Sequence, residues 1–357
     1  MCAMIIKLVS SKNFFANTGS FLQTESECAV MPEVSIVLAA HNEGDLLWKT
    51  VASCVETCAD LDYEIVVADD ASEDDSISTF QRQFPEVSVH RSNERRGPSP
   101  TKDLGAQMAT GDVLVFLDAH CKPEAGAISQ LVRDVCELQG EAIITPVVVY
   151  LDPDAWTNDL TIPGHGYVVE LDGITWRWIP TESMRPRGRF FESPSLIGCC
   201  CAVSKRLYEK LWGFDRNMYM WGVEDVDFGV KSWLLGHPVL HDAQPVIGHR
   251  FQKTFNTYQA PTEHLIANQL RMAYKILSPS LWMEWLDQFR RLQSPETWHL
   301  AWDLFTLHRG TAEIERVYLL QHQQCDAVSY ARRFGLPWPQ QSGMTALFNG
   351  QESLAPV

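Results

Sequence analysis

Apolar runs that alternate with amphipathic segments dominate the first part of the chain. Residues 34–39, 64–69 and 113–118 are apolar runs that predict strands buried on both faces, and 87–90 predict a short strand. The spacing of apolar residues predicts helices over 46–58 and 101–108. Strands that alternate with helices are typical of parallel βαβ units. The pattern therefore predicts an α/β fold in which a mostly parallel sheet is flanked by helices.

The pattern becomes less regular after residue 120. We expect a helix at 124–138, strands at 142–149 and 196–203, a short helix at 205–211 and a further helix that ends near Leu235. Residues 151–194 show no clear periodicity, and a segment of that length inside a domain is usually functional or mobile. From residue 263 onward the periodicity is helical, which predicts a helical carboxyl-terminal extension.

Two side chains that can bind a metal ion follow the apolar run 113–118. Asp118 and His120 are separated by one residue, so on an extended chain both side chains leave the same face. In open α/β sheets, ligands bind outside the carboxyl ends of the strands. An isolated Asp-x-His pair also occurs by chance in many proteins. The pair is therefore a candidate site whose weight depends on the rest of the chain.

Charge and composition narrow the range of partners. The 357 residues carry a net charge of −16, which argues against nucleic acid as a partner because phosphate backbones need a basic face. No apolar window approaches the roughly 18 to 20 residues that span a membrane. Residues 1–30 lack the form of a signal peptide, and the ten cysteines show neither disulfide-framework nor zinc spacing. We expect a cytoplasmic protein without a transmembrane segment.

Basic side chains nevertheless form two local clusters in this acidic chain. One consists of Arg91, Arg95, Arg96 and Lys102, and the other lies at 185–189. Solvated loops and phosphate-binding loops are both open interpretations of the first cluster.

Seven short motifs occur in an order that is typical of one enzyme family. They are Ala40–Glu43, Val67–Ser72, Leu104–Ala106, Phe116–Cys121, Trp221–Glu224, Ile247–Phe251 and Asn268–Arg271. Together they resemble the catalytic domain of the polypeptide N-acetylgalactosaminyltransferases, which are nucleotide-sugar glycosyltransferases with a GT-A (Rossmann-like) fold. The resemblance covers residues 33–275. It implies a leader at 1–30, a single GT-A catalytic domain at 31–275 and the helical extension at 276–357.

The resemblance implies a metal-dependent hexosyltransferase that uses a UDP-sugar. It assigns the metal to Asp118, His120 and His249, with diphosphate oxygens completing the coordination. This mixed ligand set suits Mn²⁺, with Mg²⁺ as an alternative, better than Zn²⁺, which usually takes four tetrahedral ligands. The metal would stabilise the charge that develops on the nucleoside diphosphate as it leaves.

Further residues acquire donor-binding or catalytic roles from the same resemblance. Asp70 matches a uridine contact, Arg95 matches a sugar-nucleotide contact, and Lys102 stands where a cation could reach a phosphate. Trp221 and Glu224 match the loop that lies against the donor sugar. Asp70 as a cap of the next helix and Trp221 as ordinary packing stay open as alternatives. The remaining donor-binding candidates are His41, Glu43 and Asp118.

The chain departs from the family pattern at three places. Asp225 follows Glu224 where the family usually carries Asn. In inverting GT-A enzymes such a carboxylate deprotonates the acceptor, although Asp225 also suits a helix start, where the dipole favours a carboxylate. Gly198–Cys199 replaces an expected Gly-Gly pair, and Gln252 replaces an expected Arg. We therefore expect retention of the anomeric configuration, with inversion through Asp225 as the alternative, and leave the donor sugar open.

Two other functions compete with the transferase. A sugar-nucleotide pyrophosphorylase would need a Gly-rich basic loop after the first strand, which Ala39–Glu43 does not supply. An inactive nucleotide-sugar-binding module would be expected to lose its metal ligands first, and all three candidates are present. The acceptor stays open among a protein Ser or Thr, a peptide, a glycan and a lipid-linked sugar, as does the oligomeric state. The family's carboxyl-terminal lectin domain and amino-terminal membrane anchor are not expected here.

Overall fold

A large β-sheet forms the centre of the protein. The structure is a computed structural model that describes residues 33–170, 175–179, 181–251 and 260–336. Eleven strands form the sheet, and β8 and β9 form a separate hairpin. The strands are β1 Val34–Ala40, β2 Tyr63–Asp69, β3 Ser88–Arg91, β4 Val113–Asp118, β5 Cys121–Pro123, β6 Ile143–Asp152, β7 Thr157–Gly164, β8 Gly166–Glu170, β9 Thr175–Ile179, β10 Arg185–Arg187, β11 Phe190–Glu192, β12 Cys200–Ser204 and β13 Val239–His249.

Helices cover both faces of the sheet and make a three-layer α/β/α arrangement. Alternate strand residues enter separate hydrophobic cores: Val37 and Phe116 pack on one face, and Ile36 and Val115 on the other. Residues of α1, α2 and α4 fill the second core, and residues of α5 to α11 fill the first. The helices are α1 Asp45–Thr57, α2 Ser76–Gln83, α3 Pro98–Met108, α4 Ala127–Glu137, α5 Lys205–Lys210, α6 Glu224–Leu234, α7 Thr262–Ile276, α8 Pro279–Arg291, α9 Pro295–Leu307, α10 Arg309–His322 and α11 Ala327–Phe334.

The sheet is parallel in one half and mixed in the other. Strands β3, β2, β1 and β4 lie side by side with parallel pairing, as the sequence predicts. Beyond β4, the antiparallel strand β12 separates β4 from the parallel pair β6 and β13. The β1 half is entirely parallel as predicted, and the other half combines the parallel pair β6 and β13 with antiparallel strands. The α/β class and the flanking helices are confirmed.

Strand β13 is one of the strands that the sequence pattern does not predict. Its eleven residues include Asp242, Gln244 and Pro245, which break the apolar run, and its pairing with β6 shifts register between His241 and Val246. The strand ends at His249, which pairs with Cys121 of β5. This pairing brings His249 from a distant part of the sequence to the end of β4.

The irregular region also contains more regular structure than its sequence suggests. Residues 151–194 include all or part of β6 to β11, although they show no periodicity. In contrast, the strand expected from residue 196 begins only at Cys200, and the preceding residues turn towards α6. Gly198 lies there against the carboxylate of Asp225, where a Cβ atom would approach Oδ2 to 3.0 Å.

A buried ionic network joins α6 and α7 to α10 of the extension. Lys275 of α7 pairs with Asp215 at 2.6 Å and with Asp227 of α6 at 2.8 Å. Arg271 also pairs with Asp215, and Glu315 of α10 lies 3.2 Å from Lys275. All five side chains are buried. The described helices of the extension therefore share their core with α6 rather than forming a separate unit.

Several sequence expectations lie outside the described residues or stay untested. The leader at 1–30, residues 337–357 of the extension and Gln252 lie outside the described ranges. Within those ranges, no helix has the length and apolar character needed to cross a membrane. The eight cysteines of the described residues are free thiols. The domain boundaries and the cytoplasmic location stay predictions.

Candidate metal and donor site

The candidate metal ligands converge at one edge of the sheet. Asp118 ends β4, His120 follows two residues later, and His249 ends β13. One ligand atom from each of the three residues lies within 4.8 Å of the others. The amide of Arg250 also donates to the carbonyl of His120 at 3.2 Å, which ties the two strand ends together. The geometry thus assembles a carboxylate and two imidazoles, as the sequence predicts.

Glu43 orients one of the two imidazoles. Its Oε2 lies 3.0 Å from Nδ1 of His120, in the loop that follows β1. Burial lowers the pKa of His120, but the Glu43 carboxylate raises it and prevails. A carboxylate partner on one ring nitrogen leaves the other nitrogen as the metal ligand. Glu43, predicted as a donor contact, is placed here as a positioning residue for His120.

His249 supplies the observation that tests whether a metal fits. Its imidazole is buried, its Nε2 lies 3.5 Å from Oδ2 of Asp118, and neither ring nitrogen makes a close hydrogen bond within the described residues. Burial lowers the pKa of His249, which favours the neutral ring that a metal needs. A buried ring without a close hydrogen bond is costly unless a ligand completes it. The donor set of one carboxylate and two imidazoles therefore fits a divalent cation such as Mn²⁺.

Lys102 is buried behind the metal candidates. Its ammonium donates to the carbonyl of Gly198 at 2.6 Å and lies 3.2 Å from Oδ1 of Asp118. Burial alone would raise the pKa of Asp118, but the Lys102 ammonium and His249 hold it well below its usual range. The sequence prediction places Lys102 on a phosphate. The structure instead places its charge against Asp118, because the side chain points from α3 into the protein.

Two acidic residues begin α6 next to this cation. Glu224 accepts from the amide of Gly222 at 3.0 Å, and its pKa is raised by burial. Burial and the neighbouring Glu224 raise the pKa of Asp225 to about 7, although Lys102 opposes this. Asp225 also accepts from its neighbour Val226 at 2.8 Å. A carboxyl with this pKa can exchange a proton near neutral pH, which is the property that the inverting alternative requires of its base.

Asp70 holds the loop that leads into α3. Its two carboxylate oxygens accept from the amides of Arg96 and Gly97 at 2.7 and 2.8 Å. Its carbonyl oxygen lies 2.7 Å from Nδ1 of His41. The alternative that Asp70 caps the next helix is wrong, because α2 begins only at Ser76. The uridine role of Asp70 and the donor-binding roles of His41 and of the exposed Arg95 stay predictions.

The loop that carries Trp221 is fixed by a side chain of α7. Asn268 of α7 accepts from the amide of Tyr219 at 2.8 Å and donates to the carbonyls of Tyr219 and Gly222. The amide of Met220 donates to the carbonyl of Arg96 at 2.9 Å. The Trp221 loop and the Arg95 loop are therefore in contact. Trp221 is half-buried, which agrees with either a donor contact or packing.

The basic clusters are largely occupied by internal partners. Arg91 pairs with Asp69 at 2.8 Å, and Arg96 donates to the carbonyl of Arg216. In the second cluster, Arg189 pairs with Asp134 and Asp242. The described contacts thus favour structural roles for these arginines. Asn268 belongs to a motif found in the sequence, but the sequence does not indicate that its side chain clamps the Trp221 loop.

A family model that covers residues 35–212 matches this arrangement. The model is that of glycosyl transferase family 2. Residues 35–212 are similar to this family. Its residues include β1, β2, β4 and the metal candidates Asp118 and His120, whereas His249 and Glu224 lie after the matched region.

Curated relatives and solved structures extend the likeness along the chain. The sequence is 31% identical over 284 residues to polypeptide N-acetylgalactosaminyltransferase 12 of Mus musculus, covering 73% of this chain and 45% of that protein. It is 29% identical over 285 residues to polypeptide N-acetylgalactosaminyltransferase 3 of Taeniopygia guttata, covering 76% and 45%. The crystal structure of GalNAc-T7 with UDP, GalNAc and Mn²⁺ matches with a TM-score of 0.63 at 20% identity, covering 87% of this chain and 59% of that one.

These matches confirm the fold and the family resemblance. The family 2 domain has the GT-A fold predicted from its motifs, and it is similar to the polypeptide N-acetylgalactosaminyltransferases. The chain spans less than half the length of the curated relatives that it matches.

Proposed function

We propose that this protein is a metal-dependent glycosyltransferase that moves a sugar from a UDP-sugar to an acceptor hydroxyl, with retention of the anomeric configuration. The observation that carries the proposal is the group of Asp118, His120 and His249 at the carboxyl end of β4, in which the buried His249 makes no close hydrogen bond within the described residues. This is where open α/β sheets bind their ligands. Relatives of the family 2 domain are named as glycosyltransferases, and GalNAc-T7 has been crystallised with UDP, GalNAc and Mn²⁺.

The residues of the chain divide the work of such a reaction. Asp118, His120 and His249 would hold Mn²⁺, with Mg²⁺ as the alternative, and the cation would supply positive charge to stabilise the departing diphosphate. Glu43 orients His120, and Lys102 compensates the negative charge of Asp118 and its acidic neighbours. Asp70 and Arg95 contribute contacts to the nucleotide, and Trp221 and Glu224 contribute contacts to the sugar. The loops that carry Arg95 and Trp221 contact each other, so these two sets of contacts are adjacent.

Retention is proposed on the family likeness, and Asp225 is the residue that carries the alternative. A retaining reaction relies on positioning and on the leaving group, whereas inversion needs a base within reach of the acceptor. The pKa of Asp225 near 7 suits such a base, but its carboxylate is buried behind Gly198. We therefore assign Asp225 a supporting role beside Glu224.

The acceptor is proposed as a Ser or Thr of a protein or peptide. This follows the names of the curated relatives described above, which are polypeptide N-acetylgalactosaminyltransferases. The donor sugar is not assigned, since Cys199 replaces a glycine that the family resemblance leads one to expect. A cytoplasmic location completes the proposal, and fractionation of cells that express the tagged protein tests it.

A panel of labelled UDP-sugars tests the proposed activity. The protein is incubated with each sugar and a Ser/Thr peptide mixture, with Mn²⁺, Mg²⁺ or chelator. We expect transfer or donor hydrolysis with at least one UDP-sugar and a divalent metal, and none with chelator. The Asp118→Asn variant, which keeps the shape of the side chain, should lose activity. Activity at the parent rate in chelator, or in Asp118→Asn, would refute the proposal.

A further inference from the structure

A second group of possible metal ligands lies against the site described above. The thiols of Cys121 and Cys199 and the imidazole of His249 have ligand atoms that all lie within 4.8 Å of one another. The sheet builds this cluster, because Cys121 pairs with His249 between β5 and β13. The amide of Asp118 donates to the carbonyl of Cys199 at 3.0 Å, which holds the loop before β12 beside β4.

The cluster is buried and incompletely satisfied. Cys121, Cys199 and His249 are 0%, 6% and 6% exposed. The thiol of Cys121 donates to the carbonyl of Cys199 at 3.7 Å. Neither ring nitrogen of His249 makes a close hydrogen bond within the described residues, although Nε2 lies 3.5 Å from Asp118, so its imidazole can serve either group of ligands. Cys199 stands where the family resemblance leads one to expect glycine, so its thiol adds a donor that the metal site described above does not use.

We propose that Cys121, Cys199 and His249 form a binding site for a soft divalent cation of the Zn²⁺ or Cd²⁺ class. Two thiolates and one imidazole, with a fourth position open, are a ligand set that such cations take. Thiolates select these ions over Mn²⁺ and Mg²⁺, which prefer oxygen ligands. Each thiol releases its proton to solvent as it binds the metal.

The shared histidine makes the two sites compete. His249 belongs both to this group and to the group with Asp118 and His120. A soft cation on the thiols withdraws His249 from the Mn²⁺ site, and it therefore displaces Mn²⁺. This competition rests on the proposed function, whereas binding of the soft cation by the thiols does not.

Cadmium titration of the chelator-treated full chain tests the thiol site directly. Binding is followed by calorimetry and by the ultraviolet charge-transfer band that cadmium–thiolate bonds produce. Cys199→Ser keeps the side-chain shape and removes the thiolate, and Cys121→Ala removes the other. Cys136→Ala, which changes a half-buried cysteine on α4 outside the cluster, is the control. Circular dichroism establishes that each variant is folded, and Cys199→Ser decides the test if Cys121→Ala is not.

We expect the parent and Cys136→Ala to bind one Cd²⁺ at the cluster with a thiolate band. Because loss of an outer partner of a metal site already costs about 10- to 100-fold in affinity, loss of Cys199 as a direct ligand should cost more than about 100-fold. The proposal is overturned if the Cd²⁺ affinity and the cadmium–thiolate band are unchanged in Cys199→Ser. It is also overturned if the parent shows no thiolate band.

Electron paramagnetic resonance of Mn²⁺ separates this proposal from the proposed function. In the parent, low Cd²⁺ should release bound Mn²⁺ into the free signal, and Cys199→Ser should need far more Cd²⁺. If Mn²⁺ never binds but the thiolate band is present and lost in Cys199→Ser, the Mn²⁺ site fails and the thiol site stands. If Mn²⁺ binds and Cys199→Ser does not change its displacement, competition through His249 is wrong.

Discussion

Glu43 and His120 meet 3.0 Å apart across the gap between the ends of β1 and β4, through Oε2 and Nδ1. The parallel register places Ala39 beside Asp118, so the loops that follow the two strands leave the sheet as neighbours. Glu43 occupies Nδ1 of the imidazole and leaves Nε2 for the metal. Residues 77 positions apart in the sequence thus act as one unit.

The first prediction concerns this pair. Glu43→Gln should keep the hydrogen bond but remove the charge, and Glu43→Ala should remove both. Since outer partners of metal ligands contribute about 10- to 100-fold in affinity, we expect Mn²⁺ binding to weaken within that range in Glu43→Ala and less in Glu43→Gln. Calorimetry measures it, with the exposed Glu56→Gln on α1 as control. Equal Mn²⁺ affinities in all four proteins would show that Glu43 does not position His120.

The pH dependence of metal binding gives a second prediction. A protonated imidazole cannot bind a metal, so Mn²⁺ affinity should fall as the pH falls through the pKa of His120. Glu43 raises that pKa above its ordinary value of 6.5. In Glu43→Gln the midpoint should therefore move to lower pH, even though the plateau affinity drops. A midpoint that stays in place, or moves to higher pH, contradicts the assigned electrostatics.

The sequence predicts the first half of this site better than the second. Asp118 and His120 follow an uninterrupted apolar strand, and a spacing of two fixes their common face. His249 is identified only through its motif, because Asp242 and Pro245 hide the strand that carries it. The inward direction of Lys102 depends on packing of α3 against Gly198 and Asp118, which no local pattern encodes.

The same limit applies to the extension. Its helices follow from periodicity, and Ser278 and Ser294 cap two of them by accepting from the amides of Leu281 and Thr297. The sequence does not indicate that Lys275 reaches Asp215 and Asp227, because pairing between distant charges is set by the tertiary fold.

The third prediction tests the buried ionic network. Lys275→Met leaves Asp215 and Asp227 without their shared cation, and breaking a buried pair in this way costs about 3–5 kcal/mol. The matched control is Arg291→Met, which removes an exposed pair with Asp287 and should cost less than about 1 kcal/mol. Urea unfolding measures both. Similar unfolding free energies for the two variants would mean that the network does not stabilise the packing of α6, α7 and α10.

The fourth prediction concerns the contact between the Arg95 and Trp221 loops. Gly97 has φ 99°, and a Cβ atom there would lie 2.3 Å from the carbonyl oxygen of Met220. Gly97→Ala should therefore push the loops apart and weaken UDP binding in Mn²⁺. Gly188→Ala also requires a positive φ of 66° but meets no neighbouring atom, so it controls for backbone strain alone. If UDP affinity is lost in both variants, or in neither, nucleotide binding does not depend on the contact between the two loops.

The fifth prediction concerns the nucleotide itself. Asp70 and Arg95 are assigned to the uridine and sugar-nucleotide contacts, so UDP should bind more tightly than GDP or ADP. Calorimetry in Mn²⁺ compares the three diphosphates under one set of conditions. Equal affinities would remove the uridine assignment and leave the metal site unaffected.

The stereochemistry of the reaction can be measured in the same preparations. NMR coupling constants should show an α-linked product from an α-linked UDP-sugar, and Asp225→Asn should remain active. If Asp225 were an inverting base, the rate should instead fall about 10²- to 10⁴-fold in Asp225→Asn. With Asp225 as the base, the rate of the parent protein should rise with pH through its pKa of about 7, and this rise should be absent in Asp225→Asn. A β-linked product together with that loss would establish inversion.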